Sequence, residues 1–158
     1  MSAVATGRAR VDLSRGARVV SRTPLLYRRG ADPALDRPAH VRAGSALASW
    51  SGHLAVVQDD ACFLAIVDTT SKLVEDVAFP GDGVRQFDDT RGNKKQKLDL
   101  EAVFVTTDGR LLVAFGSGSS PLRERVVLVE GPQESAPLVT VVHAAELYAQ
   151  LRSDHSFS

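Results

Sequence analysis

Residues 41–79 read VRAGSALASWSGHLAVVQDDACFLAIVDTTSKLVEDVAF. Four short apolar segments follow one another here, with bounds at 41–50, 53–58, 62–68 and 73–79. They are rich in valine, leucine, isoleucine and phenylalanine, and none is long enough for a convincing helix. Ser51-Gly52 is a two-residue hairpin link, and the connection at Asp59-Asp60-Ala61 is also tight. The pattern predicts a four-stranded antiparallel unit over about residues 40–80.

The same four-part pattern returns after a long polar loop at residues 80–98. Asp108-Gly109 is a strong hairpin signal within it. The apolar segments of this second unit are 100–107, 111–116, 125–130 and 137–143. Gly52–Val57 aligns with Gly109–Ala114, which indicates an internal repeat. Because repeated four-stranded units are typical of propeller blades, we predict an all-β fold with about two antiparallel β-propeller blades, the second at about 99–143. A β-sandwich of eight or more strands is the alternative.

The two ends of the chain differ from this repeat. Residues 1–16 are polar and arginine-rich, and we interpret them as a basic flexible arm that precedes a propeller-like domain at 17–158. Residues 144–152 place leucine and tyrosine at helical spacing, which predicts one short C-terminal helix. Propellers use about four to eight blades. Two blades would therefore leave apolar faces open, so we expect self-association, or further blades in a longer chain of which this is a fragment.

Composition argues against several classes of partner. The 19 basic and 19 acidic residues cancel, so no whole-chain charge attracts nucleic acid or an anionic membrane surface. We expect the arginine-rich N-terminal segment to pack on the acidic remainder of the chain. Cys62 is the single cysteine, which excludes an intrachain disulfide and a cysteine-based zinc site. Neither a membrane-spanning run nor a signal peptide is recognisable, so we expect a cytoplasmic protein.

Two carboxylates at the start of the second unit form a candidate metal site. Asp99 and Glu101 are two residues apart, and residues two apart share one face of a strand. Paired carboxylates suit a hard cation such as Ca²⁺, which is the one cofactor that the sequence suggests. The alternative is a solvated pair at the edge of the sheet. The basic run Asn93–Lys97 just before it is interpreted as a solvated loop.

Other polar residues lie in connections that the repeat would bring to one end of the fold. A composite site for a small ligand would combine them with the carboxylate pair, and these residues are Arg42, Ser45, Asp59, Asp60 and Ser117. The segment Gly116–Ser120 could also hold an anion through its backbone amides and Ser119, with Arg123 nearby. The alternatives are ordinary turn formation by the aspartates and a simple hairpin loop.

Four motifs in this order resemble an uncharacterised family of bacterial propeller proteins that is itself similar to phytase-esterase-like propellers. The motifs are Arg42–Ala48, Val56–Asp60, Asp99–Ala102 and Gly116–Ser119. The resemblance covers about residues 17–158 and implies a propeller with esterase- or phosphatase-like activity, that is, hydrolysis of esters or phosphoesters. The residues themselves fit two hypotheses. One is a module that binds a cation or small anion at an acidic loop site, and the other is a non-catalytic interaction scaffold.

Overall fold

The computed structural model of the chain describes Arg10, Ser14, residues 16–131 and residues 136–154. Most of the predicted basic arm therefore lies outside the described residues. The described part contains nine strands and one α-helix. The elements are β1 (Leu26–Tyr27), β2 (Gly44–Trp50), β3 (His53–Gln58), β4 (Phe63–Val67), β5 (Leu73–Ala78), β6 (Leu100–Val105), β7 (Leu111–Gly116), β8 (Arg125–Glu130), β9 (Leu138–His143) and α1 (Ala145–Ser153).

The strands form two separate sheets. The first sheet has the order β1-β5-β4-β3-β2, and the second has the order β6-β7-β8-β9. Strands β2 to β5 and β6 to β9 are antiparallel meanders, whereas β1 pairs in parallel with β5. The prediction of an all-β fold with one short C-terminal helix is confirmed. The first sheet has one strand more than the predicted four, because β1 joins it from residues that lie upstream of the repeat.

One apolar core joins the two sheets. The first sheet contributes Trp50, Ala55, Val57 and Leu64, and the second contributes residues that include Leu112 and Val127. These residues alternate along their strands, so each sheet packs through one face. Strands β2 and β6 lie side by side. Trp50 of β2 also donates its indole N–H to the carbonyl of Gly109 at 2.9 Å, which ties the first sheet to the β6–β7 hairpin.

The outward faces of the two sheets differ. On the first sheet, the residues opposite the core pack with Tyr27, Leu25 and Val41 from the N-terminal segment. On the second sheet, we call the corresponding surface the outer face, formed by Phe104, Leu111, Val113, Phe115, Val126, Leu128, Leu138 and Val142. Phe104 is 48% exposed and Leu138 is 61% exposed. The Phe104 and Phe115 rings stack at 5.9 Å. The outer face is therefore apolar, with exposed side chains on its edge strands β6 and β9, whereas Val113 and Val126 on its middle strands are buried.

No helix among the described residues is long and apolar enough to cross a membrane.

Candidate functional site

The residues predicted to bind ligands lie at one end of the two sheets. Arg42 precedes β2, Asp59 and Asp60 follow β3, Asp99 precedes β6, and Ser117 follows β7. In an antiparallel meander, the start of the first strand and the end of the second lie at the same end. The loops of the two sheets meet here because β2 and β6 are neighbours.

The two sheets build this end in the same way. The β2–β3 and β6–β7 hairpins each carry a β-bulge near the start of their first strand. The extra residues are Ser45 in β2 and Glu101 in β6. The backbone amide of Asp59 donates a hydrogen bond to the carbonyl of Ala43 at 2.9 Å. In the same way, the amide of Ser117 donates to the carbonyl of Asp99 at 2.8 Å. Asp59 and Ser117 therefore occupy equivalent positions. Alignment of the sequence placed Asp59 opposite Gly116 because the β6–β7 turn is longer than the β2–β3 turn.

Three carboxylates converge between the sheets. Oxygen atoms of Asp59, Asp99 and Glu101 all lie within 4.8 Å of one another. Asp99 has a positive φ of 58°, and Glu101 is the extra residue of the β6 bulge, so the backbone of this pair departs from a regular strand. We call these three residues the carboxylate cluster. Three hard oxygen donors at this separation are a suitable set for a divalent cation.

A lysine already lies within the carboxylate cluster. The Nζ atom of Lys97 is 2.5 Å from Asp59 Oδ1 and 2.6 Å from Asp99 Oδ1. Arg123 Nη1 lies 2.9 Å from Asp99 Oδ2, and the Ser117 hydroxyl donates to the same oxygen at 2.6 Å. Both oxygens of Asp99 are thus engaged. The interpretation of Asn93–Lys97 as a solvated loop is wrong for Lys97, which is 7% exposed.

The pKa values of the three carboxylates differ, since those of Asp59 and Glu101 are raised and that of Asp99 is lowered. Burial and the hydrogen bond with Asp99 raise the pKa of Asp59, although Lys97 opposes this effect. The pKa of Asp99 lies well below its ordinary value, because hydrogen bonds from Asp59, Lys97 and Ser117 outweigh its burial. Burial and the charges of Asp59 and Asp99 raise the pKa of Glu101. Burial lowers the pKa of Lys97, but hydrogen bonds to the two aspartates outweigh it, so the net shift is upward. Carboxylates with divergent pKa values are common at functional sites.

Arg42 and Asp60 belong to a second network beside the cluster. Arg42 Nη2 lies 2.9 Å from Asp60 Oδ2, and Arg42 Nη1 lies 3.3 Å from Asp88 Oδ2. The Arg42 amide also donates to Gln58 Oε1 at 2.7 Å. The other oxygen of Asp60 is buried without a hydrogen-bond partner in the described chain. Sequence reasoning found Arg42 and Asp60 but missed Asp88, which belongs to the long loop between the sheets.

The Gly116–Ser120 segment, which was predicted to hold an anion, forms hydrogen bonds within its own loop. The Gly118 amide donates to the carbonyl of Arg123 at 3.2 Å, and the Ser119 amide donates to Ser117 Oγ at 3.4 Å. Arg123 Nη1 donates to Ser119 Oγ at 2.9 Å. These amides are therefore occupied within the loop. Ser45 donates to the carbonyl of Leu100 and so links β2 to β6 rather than pointing at solvent.

Comparison with known proteins gives one match. The profile of a family described as a family of unknown function (DUF6929) matches residues 40–158, which is most of the chain. The match includes both antiparallel meanders, the carboxylate cluster and α1. No curated protein and no solved structure matches the chain.

Proposed function

We propose that this chain, which belongs to the DUF6929 family of unknown function, is a propeller-type interaction module whose outer face binds the same face of a second copy. The observation that carries the proposal is the uncovered apolar surface of the second sheet. Phe104, Leu138 and Val142 are each more than a third exposed there. Phe104 lies on edge strand β6, and Leu138 and Val142 lie on the opposite edge strand β9. Exposed apolar side chains on one face of a sheet are a feature of interaction sites.

The topology supports the propeller interpretation over the sandwich. Both sheets contain four consecutive strands in simple meander order. The first strands of the two meanders, β2 and β6, are neighbours, as expected for the inner strands of adjacent blades. A sandwich of the immunoglobulin type would instead pass strands between its two sheets through Greek-key connections. The resemblance to phytase-esterase-like propellers agrees with the same fold.

The choice of a second copy rests on which surfaces remain available. The outward surface of the first sheet is packed with Leu25, Tyr27 and Val41. A head-to-tail contact between copies would have to displace them. Contact between two identical outer faces needs no displacement and closes on a two-fold axis. A four-stranded face of about 19 by 19 Å offers about 350 Å² per copy, so the total is below the standard interface of about 1,600 Å². A total of about 700 Å² is typical of a weak, transient contact, so we expect a dimer that dissociates readily on dilution.

Light scattering across a dilution series tests this proposal. The wild-type chain should change from dimer to monomer on dilution. Phe104→Glu places a charge on the outer face at its edge strand β6 and should leave a monomer at every concentration, with an unchanged far-UV circular dichroism spectrum. Leu47→Glu is the matched control, because Leu47 is also an exposed strand residue, at 64%, but belongs to the first sheet. A wild-type chain that stays monomeric, or assembly that survives in Phe104→Glu, would overturn the proposal.

A second candidate function is cation binding at the carboxylate cluster. The raised pKa values of Asp59 and Glu101 reflect burial and neighbouring negative charge that Lys97 does not fully compensate. A divalent cation would relieve this repulsion and displace the Lys97 ammonium group. Hydrolysis, which the family resemblance implies, has less support, because Ser117 donates to Asp99 and has no hydrogen bond to a histidine in the described residues.

Calcium should therefore stabilise the protein. At a concentration of about ten times Kd, ligand binding adds about 1.4 kcal/mol to the free energy of unfolding, which corresponds to about 4 °C in Tm for a chain of this size. Glu101→Gln should abolish the shift, whereas Glu130→Gln, an exposed change outside the cluster, should preserve it. The effect should weaken as pH falls, because protons compete for Asp59 and Glu101. An equal calcium response in wild type and Glu101→Gln would exclude this site.

A further inference from the structure

A cavity of about 370 Å³ lies between the two sheets at their loop end. Its walls are largely apolar and include Phe79, Phe87, Leu98, Leu122 and Val141. Val141 belongs to β9, and the other four come from the segments that connect the strands. Phe79 and Phe87 are almost fully buried. The size and the apolar lining are those of a small-molecule pocket. The cavity is distinct from the carboxylate cluster and from the outer face, so it is independent of both functions proposed above.

Arg85 supplies a positive charge at this cavity. Its backbone is fixed at both ends, since its amide donates to Asp36 Oδ2 at 2.9 Å and its carbonyl accepts from the Cys62 amide at 2.9 Å. Its Nε atom donates to the carbonyl of Phe79 at 3.2 Å. Within the described chain, its two terminal guanidinium nitrogens have no hydrogen-bond or ion-pair partner. The side chain is therefore held at the wall with its two terminal donors available.

A second charged side chain at the cavity restricts the charge of a ligand, and Gln96 adds a neutral polar group to the wall. Asp82 also lines the cavity, and its Oδ1 accepts from the Val84 amide at 3.3 Å. It forms no ion pair with Arg85 in the described residues. A carboxylate matches the two parallel donors of one guanidinium group. A dianion such as a phosphate monoester could form an ion pair only with Arg85, which would neutralise one of its two negative charges. The second charge would be repelled by Asp82 and would lie against apolar walls.

We propose that this cavity binds a small apolar monocarboxylate, whose chain packs between the sheets and whose carboxylate pairs with Arg85. A volume of this size accommodates a ligand of roughly ten non-hydrogen atoms. Octanoate has this size and is the probe we would use. 1-Octanol has nearly the same apolar chain without the charge and serves as the matched ligand control.

Cys62 offers a site-specific readout of occupancy. It is the single cysteine of the chain and lies in the cavity wall. Burial raises the pKa of its thiol to about 12, so its reaction with a maleimide should be slow in the free protein. Octanoate at saturation should slow the reaction at least a further tenfold. Calorimetric titration of the same protein gives the affinity and the stoichiometry.

Two variants separate the charge contact from the cavity itself. Arg85→Gln should weaken octanoate binding at least tenfold and leave 1-octanol binding unchanged. Leu122→Trp, at a partly exposed wall position, should fill the cavity and weaken both ligands. Arg110 lies in the turn between β6 and β7, outside the cavity wall. The Arg110→Gln variant should therefore bind octanoate with the wild-type affinity. Three outcomes would each overturn the proposal: no octanoate binding to the folded protein at millimolar concentration, unprotected Cys62, or unchanged octanoate affinity in Arg85→Gln.

Discussion

A Gly116→Ala substitution is expected to lower the free energy of unfolding by about 3 kcal/mol, at the upper end of overpacking costs. A Cβ atom at this position would lie 2.2 Å from the carbonyl oxygen of Arg123 and 2.9 Å from that of Leu98. Both obstacles are backbone atoms, so no side-chain rotation can relieve the contact. The chain would have to separate β7 from the segments at residues 98 and 123, which together hold Asp99 and Arg123 at the carboxylate cluster.

Gly81→Ala is the matched control for this prediction. A Cβ atom at Gly81 has no heavy atom within 4 Å, and the backbone there does not have a positive φ. The free energy of unfolding of this variant should therefore lie within about 0.5 kcal/mol of the wild-type value. Urea unfolding followed by circular dichroism measures both variants. A Gly116→Ala protein as stable as Gly81→Ala would mean that the strand end adapts easily, and the tight packing described for β7 would be wrong.

The second large effect is expected for Asp99→Asn, which should destabilise the protein by about 3 kcal/mol at neutral pH. Asparagine is similar in shape and tolerates the positive φ of this position. The substitution removes the negative charge that faces Lys97 and Arg123, and Lys97 is almost fully buried. In the variant Lys97 would keep only Asp59, and Arg123 would lose its carboxylate partner. Removal of one partner from a buried ion pair is costly.

The pH dependence of Asp99→Asn gives an independent check. Because the folded-state pKa of Asp99 is lowered, its ionised form stabilises the protein fully above its ordinary pKa. That contribution is lost as pH falls toward the folded-state value. The difference in stability between wild type and Asp99→Asn should be constant above about pH 5 and shrink below about pH 4. A difference that does not change with pH would mean that shape, and not charge, is the cause.

Asp89→Asn provides the exposed counterpart. Asp89 pairs with Lys94 at 3.0 Å, but the aspartate side chain is 83% exposed. Ion pairs in solvent contribute about 0–1 kcal/mol, so this variant should unfold almost as wild type does. The two aspartate–lysine pairs, Asp89 with Lys94 and Asp99 with Lys97, lie only a few residues apart in sequence. The difference in the free energy of unfolding between Asp99→Asn and Asp89→Asn would therefore report the combined effect of burial and of the additional contacts of Asp99 with Arg123 and Ser117.

Lys97 illustrates why part of the site escaped prediction. In the sequence it ends a basic run that looks like a solvated loop. In the fold it reaches Asp59, which is 38 residues away. No local pattern reports such a contact, because it depends on how two sheets meet. Asp88 and Arg85 were missed for the same reason, since their roles arise from the path of the long loop at residues 80–98 over both sheets.

Strand β1 and the repeat register show the same limit. Leu26 and Tyr27 pair with Leu73 and Val74, and a two-residue strand has no periodicity that could be recognised. The repeat itself was visible, but the unequal hairpin turns shifted its register, and Asp59 proved to correspond to Ser117. Local signals record which residues can form strands and turns. Small differences in turn length change which side chains become neighbours.

The amino-acid sequence by itself determined the all-β architecture, the two meanders and the C-terminal helix, because hydrophobic spacing and turn chemistry act over a few residues. It also indicated that the carboxylates, Arg42 and Ser117 lie in connecting loops. Only the tertiary structure decided that Asp59 and Asp99 pair with Lys97 beside Glu101, that the outer face keeps exposed apolar side chains while the first sheet is covered, and that Arg85 borders a cavity. These features depend on packing between sheets, where contacts join residues that are far apart along the chain.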